Sequence, residues 1–413
     1  MSNVGNWPRG GRVAWVWPVA VACSLALGAC GGGGGGGGTA PPANVVPEPV
    51  PVVDVTGPGE LKAAAYIGRT AAVDVAGALQ AAQSKVPGTL SSLAPRYDVD
   101  SYRINYLTVD GQGKPITASG LLCLPLKAPG APSPVISYQH GTTFKDAEAP
   151  SNNVVPAELP LVLASLGAIV LAADYVGYGA SKGAQHPYLL SAPAAAAVVD
   201  LITAAQTWRR KNAVADNGQL FLVGYSEGGY ATLAAHRALQ VSASPHLAQL
   251  VGSITGAGPY HVGATMDAML ERVRRENRLL GALVDPGFLG HLGGTLRDEV
   301  RRNLVKLVMP DDADVAFQPT FIDNFLADDN TAIERDSNVH DWLPAAPIRL
   351  YHGRDDATVP YASSTRTLQA MQARGAGNVA LADCTAAPSS HLGCVPPFFA
   401  FVLTQLAPVI RNL

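Results

Sequence analysis

The chain has 413 residues, of which 48% are hydrophobic and only 15% charged, and its formal net charge is −3. That composition excludes a disordered or collagen-like protein. The near-neutral balance, with no basic stripe, excludes the electrostatic footprint of a nucleic-acid binder. Length alone admits two or three domains.

The first residues read as a targeting segment rather than as part of a fold. Arg9 and Arg12 precede an apolar run, Val13 to Leu27, that Pro18 interrupts. An uncleaved membrane helix is the alternative, but the run is short against the ~20 residues a span needs. It ends in Leu27-Gly28-Ala29-Cys30, which resembles a bacterial lipobox. The resemblance implies cleavage after residue 29 and lipidation of Cys30. Residue 31 is Gly rather than Asp, which by likeness to enterobacterial sorting favours the outer membrane over the inner. Eight glycines, Gly31 to Gly38, then lead into a proline-rich run ending at Pro51. The first part is expected to be floppy and the second extended, so residues 30–58 read as a tether.

Beyond residue 59, Ser101 to Val109 and Ile116 to Pro125 read as a hairpin turning at Asp110-Gly111-Gln112-Gly113. Apolar strands are expected at 134–138, 168–173, 219–224, 251–255, 347–352 and 379–382. Helices are expected at 157–166, 192–210, 228–239, 362–373 and 397–409. Strands apolar on both faces and alternating with helices imply a mostly parallel sheet covered on both sides, an α/β fold. The alternation breaks at 260–344, too long for an ordinary connection. This stretch has its own helical segments at 266–283 and 296–308. It reads as a cap inserted between a first core part, 59–259, and a second, 345–413. Its arginines, Arg272, Arg274, Arg275, Arg301 and Arg302, are interleaved with acids, as on a solvated face.

Of five cysteines, Cys123 sits in an apolar strand and reads as a small buried hydrophobe. Cys384 and Cys394 are expected to pair, because an exported chain meets an oxidising compartment; two free thiols are the alternative. No Cys/His spacing matches a zinc site, and no metal or organic cofactor is expected.

Chemistry enters at Phe221-Leu222-Val223-Gly224-Tyr225-Ser226-Glu227-Gly228. A G-x-S-x-G run between a strand and an alanine-rich helix is the nucleophile-elbow pattern. A serine hydroxyl needs a base to take its proton. In the chain order Ser, Asp, His, that base must follow the last long strand. His352 comes too early, before the candidate acid, which leaves His391. The acid should lie just past the strand ending at Tyr351. Asp356 fits the spacing H-G-x-x-D-x-x-V-P, and Asp355 is the alternative. The backbone N–H of Glu227, next after the nucleophile, and that of Thr142, in Gln139-His140-Gly141-Thr142-Thr143, are the expected oxyanion donors. His140 is expected to bond its ring to nearby backbone.

These runs resemble the α/β-hydrolase superfamily. With Ala173-Asp174-Tyr175-Val176-Gly177-Tyr178-Gly179 and His186-Pro187-Tyr188-Leu189, they are most similar to the bacterial and fungal secretory lipases. The resemblance implies an α/β-hydrolase fold with a helical cap between the sixth and seventh strands of the family's count. It implies a carboxylic-ester hydrolase acting on esters or lipids, which the lipobox reading would hold at a membrane by its N-terminal lipid. Asp174 and the His186-Pro187-Tyr188 run are expected to be structural or pocket-lining. Two rivals remain open at this stage. One is a peptidase of the prolyl-oligopeptidase type, although residues 40–100 leave no room for its propeller. The other is a surface lipoprotein with a vestigial site.

Overall fold

The computed structural model describes residues 54–83, 94–276 and 289–413, all within the unit Val52–Leu413. The signal segment, Cys30 and most of the Gly/Pro tether lie outside the described residues. Nine strands form one sheet: β1 (Leu61–Thr70), β2 (Val99–Val109), β3 (Pro115–Pro125), β4 (Ser133–Gln139), β5 (Ile169–Ala173), β6 (Asp216–Tyr225), β7 (Leu250–Gly256), β8 (Ile348–His352) and β9 (Val379–Asp383). Their spatial order is β1-β2-β3-β5-β4-β6-β7-β8-β9. The first pairings, through β3 with β5, are antiparallel. From β5 to β9 every pairing is parallel. The expected hairpin is β2–β3, with Val109 opposite Pro115.

Side chains alternate across the sheet with period two. Leu220 and Leu222 of β6 face a core with α3 (Ser191–Lys211) and α4 (Glu227–Val241). Phe221, Val223 and Tyr225 face the opposite core, which holds α2 (Leu159–Ser165) and the C-terminal helix (Val395–Leu406). Both faces are therefore buried, as parallel strands require. Cys123 is fully buried on the second face, unpaired by disulfide. Burial pushes its thiol up to about 12.

Between β7 and β8 the chain runs through α5 (Val262–Glu276), α6 (Gly294–Val308) and α7 (Thr320–Leu326). Their apolar faces form a third core, including Met266, Leu270, Leu304 and Phe321. Strand β1 precedes the expected hairpin, so β7 and β8 are the sixth and seventh strands counted from that hairpin. The part of the expected 266–283 helix beyond 276 lies outside the described residues. Four of the insertion's arginines pair with neighbouring acids: Arg272 with Glu276, Arg274 with Glu271, Arg301 with Asp323, and Arg302 with Glu299. Exposed pairs of this kind contribute about 0–1 kcal/mol each and mark a solvated face. The last two core helices are α8 (Ala362–Ala373) and α9 (Val395–Leu406).

The described residues hold one strand, β1, and two of the named helices, α1 (Ala72–Gln83) and α7, that the sequence reading does not expect. Strand β1 is an edge strand exposed along most of its length. Its apolar run, Ala63 to Ile67, is mostly alanine and shows no alternation, so it does not mark itself as a strand.

Candidate active site

Strand β6 ends at Tyr225 and α4 starts at Glu227, so Ser226 alone makes the turn. Its backbone stands at φ 60°, ψ −125°, a conformation that costs a non-glycine residue about 1–3 kcal/mol. The turn is held from both sides: Ser226 N–H donates to Gly256 O at 2.8 Å, and Tyr230 N–H donates to Ser226 O at 3.1 Å. Two glycines make room for it. A Cβ on Gly224 would lie 2.1 Å from Gly228 O, and one on Gly228 would lie 2.0 Å from Gln139 O. The first turn of α4 thus presses directly on the end of β4. The elbow motif is a packing requirement as much as a chemical one.

His391 lies 165 residues further along the chain, yet its Nε2 is 2.8 Å from Ser226 Oγ. Its Nδ1 is 2.6 Å from Asp356 Oδ2. A carboxylate only accepts, so Nδ1–H donates to Asp356 and the bare Nε2 accepts from the serine hydroxyl. Asp356 is buried and accepts at its other oxygen from Thr358 N–H at 2.8 Å and Val359 N–H at 2.9 Å. His352 Nε2 sits 3.2 Å from Asp356 Oδ2 and 3.0 Å from Val359 O. Its Nδ1 accepts from Ser364. Burial alone would push the Asp356 carboxyl up. The His352 and His391 N–H groups, with the Val359 amide, outweigh burial and hold it well below the usual carboxylate range.

Asp355 does something else. Its carboxylate accepts from the Ser389 N–H and hydroxyl, both at 2.9 Å, and its own N–H donates to Ser389 Oγ at 3.1 Å. It clamps the loop that carries His391. Tyr225 OH donates to His391 O at 2.8 Å. A Cys384–Cys394 disulfide closes the same loop. Replacing both cysteines by serine is expected to cost about 3 kcal/mol from loop closure, read as a lower urea midpoint. The residual turnover should be more temperature-sensitive than that of the parent.

The oxyanion candidates lie on the other side. Gly141 lies beside Ser226, where a Cβ would be 3.7 Å from Ser226 Cβ. Thr142 lines the same cavity as Ser226 and His391, with Oγ1 3.3 Å from Tyr188 OH. Glu227 sends its side chain to His186. The His140 ring bonds to Gly141 O at 2.7 Å and stacks on Tyr175 at 4.3 Å, as a structural histidine should. Burial lowers its pKa. Asp174 accepts from the Ser119 hydroxyl and from the Ser151 hydroxyl and N–H, which ties β3 and β5 to the loop after β4.

The cavity over Ser226 measures about 410 Å³. Its walls come from the core (Tyr138, Tyr188, Leu189, Phe399) and from the insertion (Met269, Leu307, Val308, Phe321). A hollow of about 510 Å³ elsewhere, lined by Leu163, Leu403 and Ile410, contains none of the reactive groups. Among the described residues no cluster of three His, Cys, Asp or Glu side chains could hold a metal ion.

The strand order and the elbow can be set beside known structures. A protein of Legionella pneumophila aligns over 85% of this chain and 100% of its own, at 24% identity and TM-score 0.67. LipA, the rice cell wall degrading esterase from Xanthomonas oryzae, aligns over 86% and 100%, at 24% identity and TM-score 0.64. The fold is that of the α/β hydrolases. Candida antarctica lipase A in its closed state shares it at 16% identity and TM-score 0.55, over 86% of this chain and 84% of that one. Residues 151–274 of this chain, the stretch that carries the elbow, match the family model of secretory lipases. No curated relative matches.

Sequence reasoning missed three supports of this site: the Asp355–Ser389 clamp, the Tyr225 brace and the His352 contact. The first two are contacts between distant segments, for which no local pattern exists; His352 stands only four residues before Asp356, where its place in the sequence does not tell that its ring faces the acid.

Proposed function

We propose that this α/β hydrolase is a serine esterase or lipase that cleaves carboxylic esters through an acyl-enzyme. The observation that carries the reading is the single imidazole bonded at once to Ser226 Oγ, at 2.8 Å, and to Asp356, at 2.6 Å. Ser226 Oγ attacks the ester carbonyl while His391 Nε2 takes its proton. Asp356 fixes the tautomer and stabilises the imidazolium. The carbonyl oxygen becomes an oxyanion held by the N–H groups of Glu227 and Thr142. His391 then gives the proton to the leaving alcohol. Water, deprotonated by the same ring, releases the acid and restores Ser226. No cofactor is needed for these steps. The insertion, read as a cap over residues 260–344, supplies apolar walls for the acyl chain. The secretory-lipase match over 151–274 supports ester rather than peptide substrates and an exported protein.

The test is hydrolysis of p-nitrophenyl esters from two to sixteen carbons beside a prolyl amide. We expect ester turnover with a preference for short to medium chains, because the cavity of about 410 Å³ must also admit the alcohol. Cleavage of the amide alone would reject the reading. The lipobox resemblance supports a lipid anchor at Cys30, although no helix among the described residues is long and apolar enough to cross a membrane. Cys30→Ser should move the enzyme from the membrane to the soluble fraction. Equal membrane retention would count against the anchor.

A further inference from the structure

Directly behind the nucleophile lies a buried ionisable pair that the reaction above does not use. Glu227 opens α4, and its Oε1 is 2.6 Å from His186 Nε2. The two side chains are 6% and 4% exposed. The second ring nitrogen of His186, Nδ1, is 2.9 Å from Val176 O. A carbonyl oxygen has no proton to give, so Nδ1 is an N–H donor. Nε2 faces a carboxyl oxygen, and the proton between them belongs either to the ring or to Glu227. The surroundings favour the ring. Tyr175, Tyr178, Tyr188 and Phe317 pack around it with centroids 5.9, 5.3, 5.9 and 5.1 Å away, a setting that stabilises a cation.

Two further observations give the pair a role. Glu227 Oε2 is buried without a hydrogen-bond partner, an arrangement that costs stability and that packing alone would not call for. The backbone of His186 is also clasped by the insertion: His186 N–H donates to Ala316 O at 2.8 Å, and Gln318 N–H donates to His186 O at 2.7 Å. One residue therefore joins the segment 316–318 to the residue whose N–H faces the nascent oxyanion.

We infer that His186 and Glu227 form a buried ion pair that positions the Glu227 backbone N–H as an oxyanion donor and ties it to the seat of the insertion. The inference rests on Ser226 being the nucleophile. Both are positioning residues: neither side chain touches the substrate. Anchoring the Glu227 side chain restricts the Ser226–Glu227 peptide, and a displaced oxyanion donor penalises the transition state more than the bound ester.

The test compares wild type, Glu227→Gln, His186→Gln, His391→Ala and Ser226→Ala, with p-nitrophenyl acetate as substrate. Glu227→Gln keeps the shape and removes the charge. It should lower kcat about 10- to 100-fold with KM within about twofold. It should weaken a trifluoromethyl ketone inhibitor by the same factor, while fluorophosphonate labelling still reports a folded Ser226. In nitrogen-15 spectra of histidine-labelled wild type, which need no variant to fold, one imidazole should show two protonated nitrogens. That signal should persist in His391→Ala and vanish in His186→Gln. A kcat and inhibitor affinity within twofold of wild type in Glu227→Gln would overturn the positioning role. A bare Nε2 on His186 would overturn the ion pair. A wild type that neither hydrolyses the ester nor accepts the label would instead sink the nucleophile assignment and the positioning role with it, leaving the ion pair readable in the spectra.

Discussion

Replacing Ser226 by alanine should lower kcat on a p-nitrophenyl ester by about 10⁴- to 10⁶-fold, the scale lost when a triad member is removed. The substitution removes one oxygen from a turn whose backbone is held by Gly256 O and by the Tyr230 amide, so the elbow should persist. KM should change little, because the walls of the cavity over the serine are apolar side chains that the change does not touch. A variant that keeps more than a hundredth of the activity would mean that another group attacks the ester. Mere unfolding can be told apart by the melting curve and by retained binding of a product fatty acid.

The second large effect separates two adjacent acids. Asp356→Asn should cost about 10⁴-fold in kcat, because an amide NH₂ facing His391 Nδ1 drives the ring into the wrong tautomer. Asp355→Asn should cost far less, within about tenfold. Its loss loosens the clamp on Ser389 but leaves the hydrogen bond from His391 to Asp356. Asp356 has its carboxyl depressed in the folded state, despite burial, by the His352 and His391 N–H groups. The folded state then binds fewer protons than the unfolded one. The stabilisation is complete above the unfolded carboxylate pKa of about 4 and fades as pH falls below it. Wild type should lose stability on acidification more steeply than Asp356→Asn, measured by urea midpoints from pH 6 down to pH 3. Parallel curves would show that this carboxylate is not held ionised by its neighbours.

Which parts of this molecule could be read from the sequence follows from where the information lies. The elbow was legible because its chemistry and its packing coincide: Gly224 and Gly228 are required by collisions with Gly228 O and Gln139 O, within a few residues of the serine. His391 was legible by elimination along the chain order, and the buried strands by their unbroken apolar runs. Choosing between Asp355 and Asp356 needed a spacing pattern, because both acids sit on the same turn and only the fold decides which faces His391 and which faces Ser389. Strand β1 was not legible. Its exposed edge position leaves an alanine-rich segment, Leu61 to Thr70, with no periodicity. The His186–Glu227 contact was equally invisible, since it joins a loop to a helix 41 residues away. The sequence marked both ends, one in a run read as structural or pocket-lining and the other as a backbone donor, and only folding makes them a pair.

The most direct measurement is mass spectrometry of the peptide modified by a fluorophosphonate in the folded protein. The reagent reacts at phosphorus, with loss of fluoride, with a hydroxyl that an imidazole has made nucleophilic. The adduct should sit on Ser226 alone, form at a stoichiometry near one, and be absent after His391→Ala. An adduct on a different residue, or modification of Ser226 at an undiminished rate without His391, would contradict the account.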